Sequence, residues 1–216
     1  MATRPVYLRQ LELGPMQNFI YLIGDPTTHE AAVVDPGWEV PKILHAAAED
    51  GYRLTHVFLT HHHFDHVMGL PELLNASDLP VYVHRSDAPS INIDASNLKP
   101  VGHGEIIEVG KIPVQLIHTP GHTPGSQCVL VGDRLLSGDT LFIKACGRCD
   151  LPGGDPKALY DSFAHRLKTL DGKTVLYPGH NYADVPTSTL ENEQRENPFF
   201  RAATWEEFAR IVGVGL

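Results

Sequence analysis

The sequence predicts a mixed α/β chain folded as a four-layer αββα sandwich, two mixed sheets face to face with helices outside. Three observations lead there. Short apolar runs bounded by turn residues recur along the whole chain. Helical periodicity appears in a few separated segments rather than after every strand, unlike a regular doubly wound βαβ sheet. The run "LTHVFLT", residues 54–60, is continuously apolar with β-branched and aromatic members, as a strand covered on both faces requires. A chain of 216 residues, 42% hydrophobic, can bury a substantial core without staples, so one domain spanning 1–216 is expected.

The elements follow in order. "VYLRQLEL" and "NFIYLIGD" read as antiparallel strands around Gly14-Pro15, and "AAVVDPG" as a third ended by Asp35-Pro36-Gly37. Val40, Ile43, Leu44, Ala47 and Ala48 recur at helical spacing until Asp50-Gly51. The strand at 54–60 leads to a helix over 67–74 and the strand "PVYVH"; residues 85–104 read as irregular. "GEIIEVG" and "IPVQLIHTPG" are two strands, and "QCVLVGDRLLSGD" is a hairpin around Gly132-Asp133. In "GGDPKALYDSFAHRL", Asp155 is the N-cap, Pro156 opens the first turn, and Leu159, Phe163, Leu167 and Leu170 share a face. "KTVLYPGH" is a late strand. Two short helices close the chain, started by the capping boxes Ser188/Glu191 and Thr204/Glu207.

Composition excludes several functions. A net charge of −9 with no basic run argues against binding nucleic acid or an anionic membrane surface. No apolar stretch approaches the roughly 18 residues of a membrane span. "MATRPVYLRQLELG" lacks the apolar block of a signal peptide, so a cytoplasmic location is expected. Three cysteines are too few for a disulfide scaffold, and Cys146-Gly147-Arg148-Cys149, a lone C-x-x-C, makes a poor zinc site. It reads as a loop.

The outlier is the count of 13 histidines. His61, His63, Asp65 and His66 form H-x-H-x-D-H between a buried strand and a helix start. In an extended loop, residues two apart point the same way, so His61 and His63 can share one ion. Asp65 and His66, at the coming helix, can face a second. His62 alternates away from them. His122, Asp139 and His180 each follow a glycine at the end of a predicted strand, which places them on the same rim. Imidazole and carboxylate donors suit zinc, and also manganese, iron or nickel.

This constellation resembles the metallo-β-lactamase superfamily over nearly the whole chain. In that family's dinuclear members, three histidines hold the first metal, matching His61, His63 and His122. An aspartate and two histidines hold the second, matching Asp65, His66 and His180, and Asp139 matches the bridging carboxylate. The implied fold is the same αββα sandwich. Asp139 stands where true β-lactamases carry cysteine, and His63 where flavodiiron reductases carry glutamate. The acidic chain leaves little room for the RNA-gripping module of the nuclease branch.

"GRCDLPGGDP" and "YPGHNY" are similar to the glyoxalase II group of hydroxyacylglutathione hydrolases. That likeness implies Arg148 and Tyr182 as substrate-binding residues. Asp150 replaces that family's next aromatic, and its long C-terminal helical domain has no counterpart after His180. The expectation is a metal-dependent hydrolase, a thioesterase acting on a small molecule such as a glutathione thioester. Two divalent cations, zinc first and iron or manganese as alternatives, would supply hydroxide, with Asp65 as the catalytic residue that orients it. Persulfide dioxygenases share the ligand set, and in them one iron is held by residues matching His61, His122 and Asp139. That enzyme is the alternative expectation, and a non-catalytic metal-binding domain is a third.

Overall fold

The structure, a computed structural model, describes residues 5–214. The first half builds one sheet: β1 (Tyr7–Leu13), β2 (Asn18–Asp25), β3 (Glu30–Val34), β4 (Arg53–Phe58), β5 (Val81–His84) and β6 (Leu98–Val101), side by side in that order. The first three strands pair antiparallel, and β3 to β6 pair parallel. Helices α1 (Val40–Glu49), α2 (Phe64–Val67) and α3 (Leu70–Ala76) lie in the crossovers. The second half builds the other sheet from β7 (Ile106–Val109), β8 (Ile112–His118), β9 (Gln127–Val131) and β10 (Arg134–Gly138). A small ribbon, β11 (Leu141–Phe142) and β12 (Ala145–Cys146), precedes α4 (Pro156–His165). Then β13 (Val175–Pro178) pairs parallel to β10, and β14 (Ser188–Thr189) closes that edge. Helices α5 (Leu190–Glu196), α6 (Pro198–Arg201) and α7 (Trp205–Val212) follow.

The period of two in the strands creates the layers. In β2, Phe19, Tyr21 and Ile23 point between the sheets, against Val114, Leu116, Val129 and Leu136 of the second sheet. Ile20 and Leu22 point the other way, to Val40 and Ile43 of α1 and Leu70 and Leu73 of α3. Ile117, Cys128, Leu135 and Leu176 on the second sheet's outer face meet Leu159 and Phe163 of α4, Phe200 of α6 and Phe208 of α7. These are the four layers the sequence predicts. Among the described residues, no helix is long and apolar enough to cross a membrane.

Five local expectations differ. Residues 85–104 contain the edge strand β6, whose Lys99 and Pro100 hide it; a proline fits there because an edge strand leaves amides unpaired. The helix over 67–74 is two, broken at Met68-Gly69, with Pro71 opening the second. Thr189 rather than Ser188 caps α5, since Ser188 still pairs in β14. Thr204 caps α7 as expected, but three helices close the chain, because Asn197 and Pro198 start the short α6. Helix α4 ends at His165, and Leu167 sits in a following single 3₁₀ turn.

The Asp155 carboxylate accepts from the Lys157 and Ala158 amides at 2.9 and 3.0 Å. Asp155→Ala is expected to cost about 1 kcal/mol, read as a lowered urea midpoint at unchanged slope. His84 at the end of β5 stacks on His118 at the end of β8, ring centroids 3.6 Å apart, which ties the two sheets together. Burial, then the neighbouring His118, pushes the His84 imidazole down to about 4. The folded chain therefore prefers the neutral ring. This contribution is complete above the unfolded value near 6.5 and is lost as pH falls toward 4. NMR titration of His84 should show a midpoint near 4; an ordinary midpoint would refute the burial argument.

Candidate metal centre

The edge where both sheets end carries the site. His61 and His63 lie in the loop after β4, and Asp65 and His66 on α2. His122 lies between β8 and β9, Asp139 just past β10, and His180 just past β13. Donor atoms of His61, His63 and His122 lie within 4.8 Å of one another, and so do those of Asp65, His66 and His180. Asp139 stands between the groups: its Oδ1 is 3.4 Å from His66 Nε2, and its Oδ2 is 3.6 and 3.5 Å from the Nε2 atoms of His122 and His180. All seven residues singled out as ligands in the sequence thus converge.

Two glycines permit the approach. Gly138 has φ +50°, and a Cβ there would sit 2.3 Å from Thr60 Oγ1. A Cβ on Gly179 would sit 2.4 Å from Asp139 Oδ1. Any side chain at either position would push the strand ends apart.

Each of four histidines is held from outside by Nδ1, which leaves Nε2 facing the cluster. Thr60 Oγ1 lies 3.0 Å from Nδ1 of His61. His66 Nδ1 meets Asp35 Oδ2 at 2.9 Å, His122 Nδ1 meets the Arg148 carbonyl at 2.6 Å, and His180 Nδ1 meets the Met16 carbonyl at 2.9 Å. Such outer partners fix the orientation of metal-ligating imidazoles.

Three residues that support the cluster, Asp35, Asn18 and Asp87, were not singled out from the sequence. Asp35, read there as part of a turn, also accepts from the Thr60 amide and hydroxyl at 2.7 and 2.6 Å. Asn18 donates to Asp65 Oδ2 at 2.9 Å, and its own oxygen accepts from Trp38 Nε1 at 2.8 Å. Asp87 binds the His62 amide, the Thr123 hydroxyl and the Gly125 amide, and its Oδ2 lies 2.8 Å from His62 Nδ1. His62 therefore turns away from the cluster, as expected, and joins the His61 loop to the His122 loop. The available signal for Asp35 was positional, a carboxylate directly after a buried strand.

The electrostatics split the cluster. Burial, reinforced by neighbouring imidazoles, pushes His61 well below its ordinary value and His63 to about 4, so both offer lone pairs at neutral pH. At His66 and His180 burial is outweighed by carboxylates: Asp139 and Asp35 raise His66, and Asp139 and Asp65 raise His180 to about 9. Burial also opposes ionisation of Asp65 and Asp139, yet these imidazoles hold both carboxyls far below the usual range. Within the cluster three buried atoms have no hydrogen-bond partner: His61 Nε2, His122 Nε2 and Asp139 Oδ1. Each orphan of this kind costs on the order of 1–3 kcal/mol. Two imidazole nitrogens and a carboxylate oxygen left without partners are donors that suit a divalent cation.

The domain model described as the metallo-beta-lactamase superfamily matches residues 13–180. The chain belongs to that superfamily. The crystal structure of ETHE1 from Myxococcus xanthus superimposes with a TM-score of 0.87 at 36% identity, covering 96% of this chain and 90% of that one. Mitochondrial persulfide dioxygenase ETHE1 of Homo sapiens is 33% identical over 215 residues, 97% of this chain and 81% of its own. The probable polyketide biosynthesis zinc-dependent hydrolase PksB of Bacillus subtilis is 30% identical over 194 residues, 90% of this chain and 86% of its own.

A cavity of about 540 Å³ opens over the cluster. Arg148 and Tyr182, the residues singled out for substrate, both line it. The Arg148 guanidinium is paired with Asp150, at 3.0 and 2.9 Å, and Tyr182 stacks on His180 with ring centroids 4.6 Å apart. Cys146 borders the cavity while Cys149 is buried. Burial pushes the Cys146 thiol up to about 12 and raises Cys149 as well, so neither is a thiolate at neutral pH.

Asp35→Ala is expected to weaken metal affinity by about 10–100-fold, because His66 loses its anchor. Competition with a chelator reads this directly. An affinity within about three-fold of wild type would show that Asp35 serves only the Thr60 turn.

Proposed function

We propose that this chain is an iron-dependent persulfide dioxygenase. The observation that carries the reading is the identity of the three orphan atoms. His61 Nε2, His122 Nε2 and Asp139 Oδ1 are a two-histidine, one-carboxylate set, the donor pattern of non-haem iron oxygenases. The similarity to the human enzyme named persulfide dioxygenase supports it independently. Ferrous iron, when bound there, supplies the means to activate oxygen.

The rest is the work of the chain. Thr60 and the Arg148 carbonyl hold the two imidazoles in place before any ion arrives. Asp139 brings negative charge beside His122, its Oδ2 3.6 Å from Nε2. Asp65, fixed by Asn18 and by contacts of 3.3 Å to His66 Nε2 and His180 Nε2, keeps an ionised carboxylate on the cavity wall. The cavity admits the terminal sulfur of a small persulfide beside His63 and His122.

A second reading is favoured by the other three-donor group, Asp65, His66 and His180. With two zinc ions the centre would offer an activated water, since zinc brings water's pKa from about 15.7 to about 7. The protein would then be a thioesterase of glyoxalase II type, with Asp139 between the ions and Asp65 orienting the water. PksB, named as a zinc-dependent hydrolase, is the relative on that side.

Elemental analysis paired with an oxygen electrode separates the two. The dioxygenase reading expects about one iron per chain. It also expects oxygen uptake with glutathione persulfide or a neutral alkyl persulfide, one O₂ and one water consumed for each thiol and sulfite formed. Asp139→Ala should abolish both iron retention and uptake. Zinc with hydrolysis of S-lactoylglutathione and no uptake would establish the second reading. Bound metal with neither activity would leave a non-catalytic metal-binding domain.

A further inference from the structure

A second, smaller cavity of about 180 Å³ lies where the end of α4 crosses the outer face of β8. It shares no lining residue with the cavity over the metal cluster. Ile117 and Leu170 form its apolar floor. Three elements supply its polar groups: His103 from the loop between β6 and β7, Gln115 from β8, and Arg166 directly after α4. No described aspartate or glutamate lines it.

Arg166 is the unusual member. Its Nη1 is shielded from water and has no hydrogen-bond partner, the one lysine or arginine nitrogen so placed among the described residues. Carboxylates are in surplus, 26 acidic residues against 17 basic, and Arg9, Arg53, Arg85, Arg134, Arg148 and Arg195 each pair with one. A guanidinium keeps its charge at any physiological pH, and a charged donor left buried and unpaired costs more than a neutral one. Such an atom calls for a partner, an ion being one kind. The neighbours offer donors as well. The His118 amide donates to His103 Nδ1 at 3.2 Å, so the proton of the neutral ring sits on Nε2. Burial, then the Arg166 charge, holds His103 below its ordinary value, so that ring is neutral at pH 7. Gln115 brings a side-chain amide. Two further lining groups are engaged elsewhere: His165 leans to Asp161 at 3.9 Å, and the Thr169 hydroxyl donates to the Arg166 carbonyl at 2.7 Å.

We propose that this cavity binds a small tetrahedral oxyanion of the phosphate or sulfate kind, either free or as the terminal phosphate of a small ester. One oxygen accepts from Arg166 Nη1, and others accept from the His103 Nε2–H and the Gln115 amide. Donors arriving from three elements suit an anion with oxygens on several sides. A planar carboxylate fills the fork of one arginine and leaves the other two donors idle. Arg166 is also the C-terminal cap of α4, where the negative end of the helix dipole offsets part of its charge. A dissociation constant of about 1–10 mM is therefore expected. The site is independent of the reaction that the metal centre runs.

The test titrates sodium sulfate into the zinc-loaded protein at an ionic strength held constant with sodium chloride. Proton–nitrogen NMR follows the Gln115 side-chain amide and the Arg166 and Thr169 backbone amides. Saturable shifts at these groups are expected, with a midpoint of about 1–10 mM. Arg166→Met should weaken binding about ten-fold or more. Arg166→Lys should weaken it about three-fold, since an ammonium keeps the charge and loses the fork. Shifts that rise linearly without saturation, as from sulfate acting on the whole surface, would overturn the site. So would shifts confined to the residues around His61 and His122, or binding that survives Arg166→Met. Where Arg166→Met does not fold, the wild-type shifts at Gln115 and their weakening in Arg166→Lys decide. Phenyl phosphate and inorganic phosphate then separate the two sources. Phenyl phosphate bound about three-fold tighter or more assigns the site to a phosphate ester, and equal or weaker binding assigns it to the free ion.

Discussion

The structure turns on how it disposes of buried polar atoms where its two sheets end. His61, His66, His122 and His180 are almost wholly shielded from water. A buried imidazole must satisfy two ring nitrogens, and like-charged rings at centroid distances of 4.2 to 5.2 Å cannot all be protonated. The chain satisfies one nitrogen of each ring with a hydroxyl, a carboxylate or a carbonyl fixed in the scaffold. The other nitrogens are left to one another and to whatever enters. Local stability and the capacity to bind a cation therefore rest on the same unsatisfied atoms.

Parallel pairing makes that arrangement reachable. Strands β3 and β4 run in the same direction, so Asp35 and Thr60, each just beyond a strand, become neighbours across the sheet. Strands β10 and β13 do the same for Asp139 and His180. Parallel strands need long crossovers, and these place α1 and α4 on the outer faces. The layer order and the convergence of ligands are thus one geometric consequence. The pairing also explains the tight glycines at 138 and 179, where two parallel strand ends deliver backbone to nearly the same point.

Much of this was legible in the sequence because the ligands interrupt otherwise strong patterns. His61, His122, Asp139 and His180 each follow an apolar run, where a polar residue must leave the core or find a partner. Asp35 obeys the same rule, but Asp-Pro-Gly is also a good turn, and the commoner explanation concealed its hold on His66. Asn18 and Asp87 were hidden for a different reason. Their partners, Asp65, Trp38, His62 and Thr123, come from distant segments, and no periodicity reports side-chain bonds of that kind. Strand β6 was illegible because its edge position tolerates Lys99 and Pro100, residues that erase the alternation. The split between α2 and α3 followed from Gly69 and Pro71, which a count of apolar spacings overrode.

Relatives named for oxidation and for hydrolysis share this fold, which therefore does not fix the reaction. The parts that differ in kind are separable here. The cluster is set by strand ends, whose positions the cores of both sheets enforce. The cavity mouth is set by other pieces: Met16 from the β1–β2 turn, Phe64 from the first turn of α2, Phe142 from the β11–β12 ribbon and Tyr182 from the segment after β13. The side chains of Met16, Phe64 and Tyr182 are exposed, so exchanging one of them leaves both sheet cores in place. Two residues link the two levels, because the Met16 carbonyl orients His180 as the Arg148 carbonyl orients His122. The Arg148 carbonyl orients His122 while its guanidinium sits at the mouth in the grip of Asp150. At both residues the backbone that holds an imidazole carries a side chain that lines the cavity, so the cavity wall and the metal-site geometry meet there.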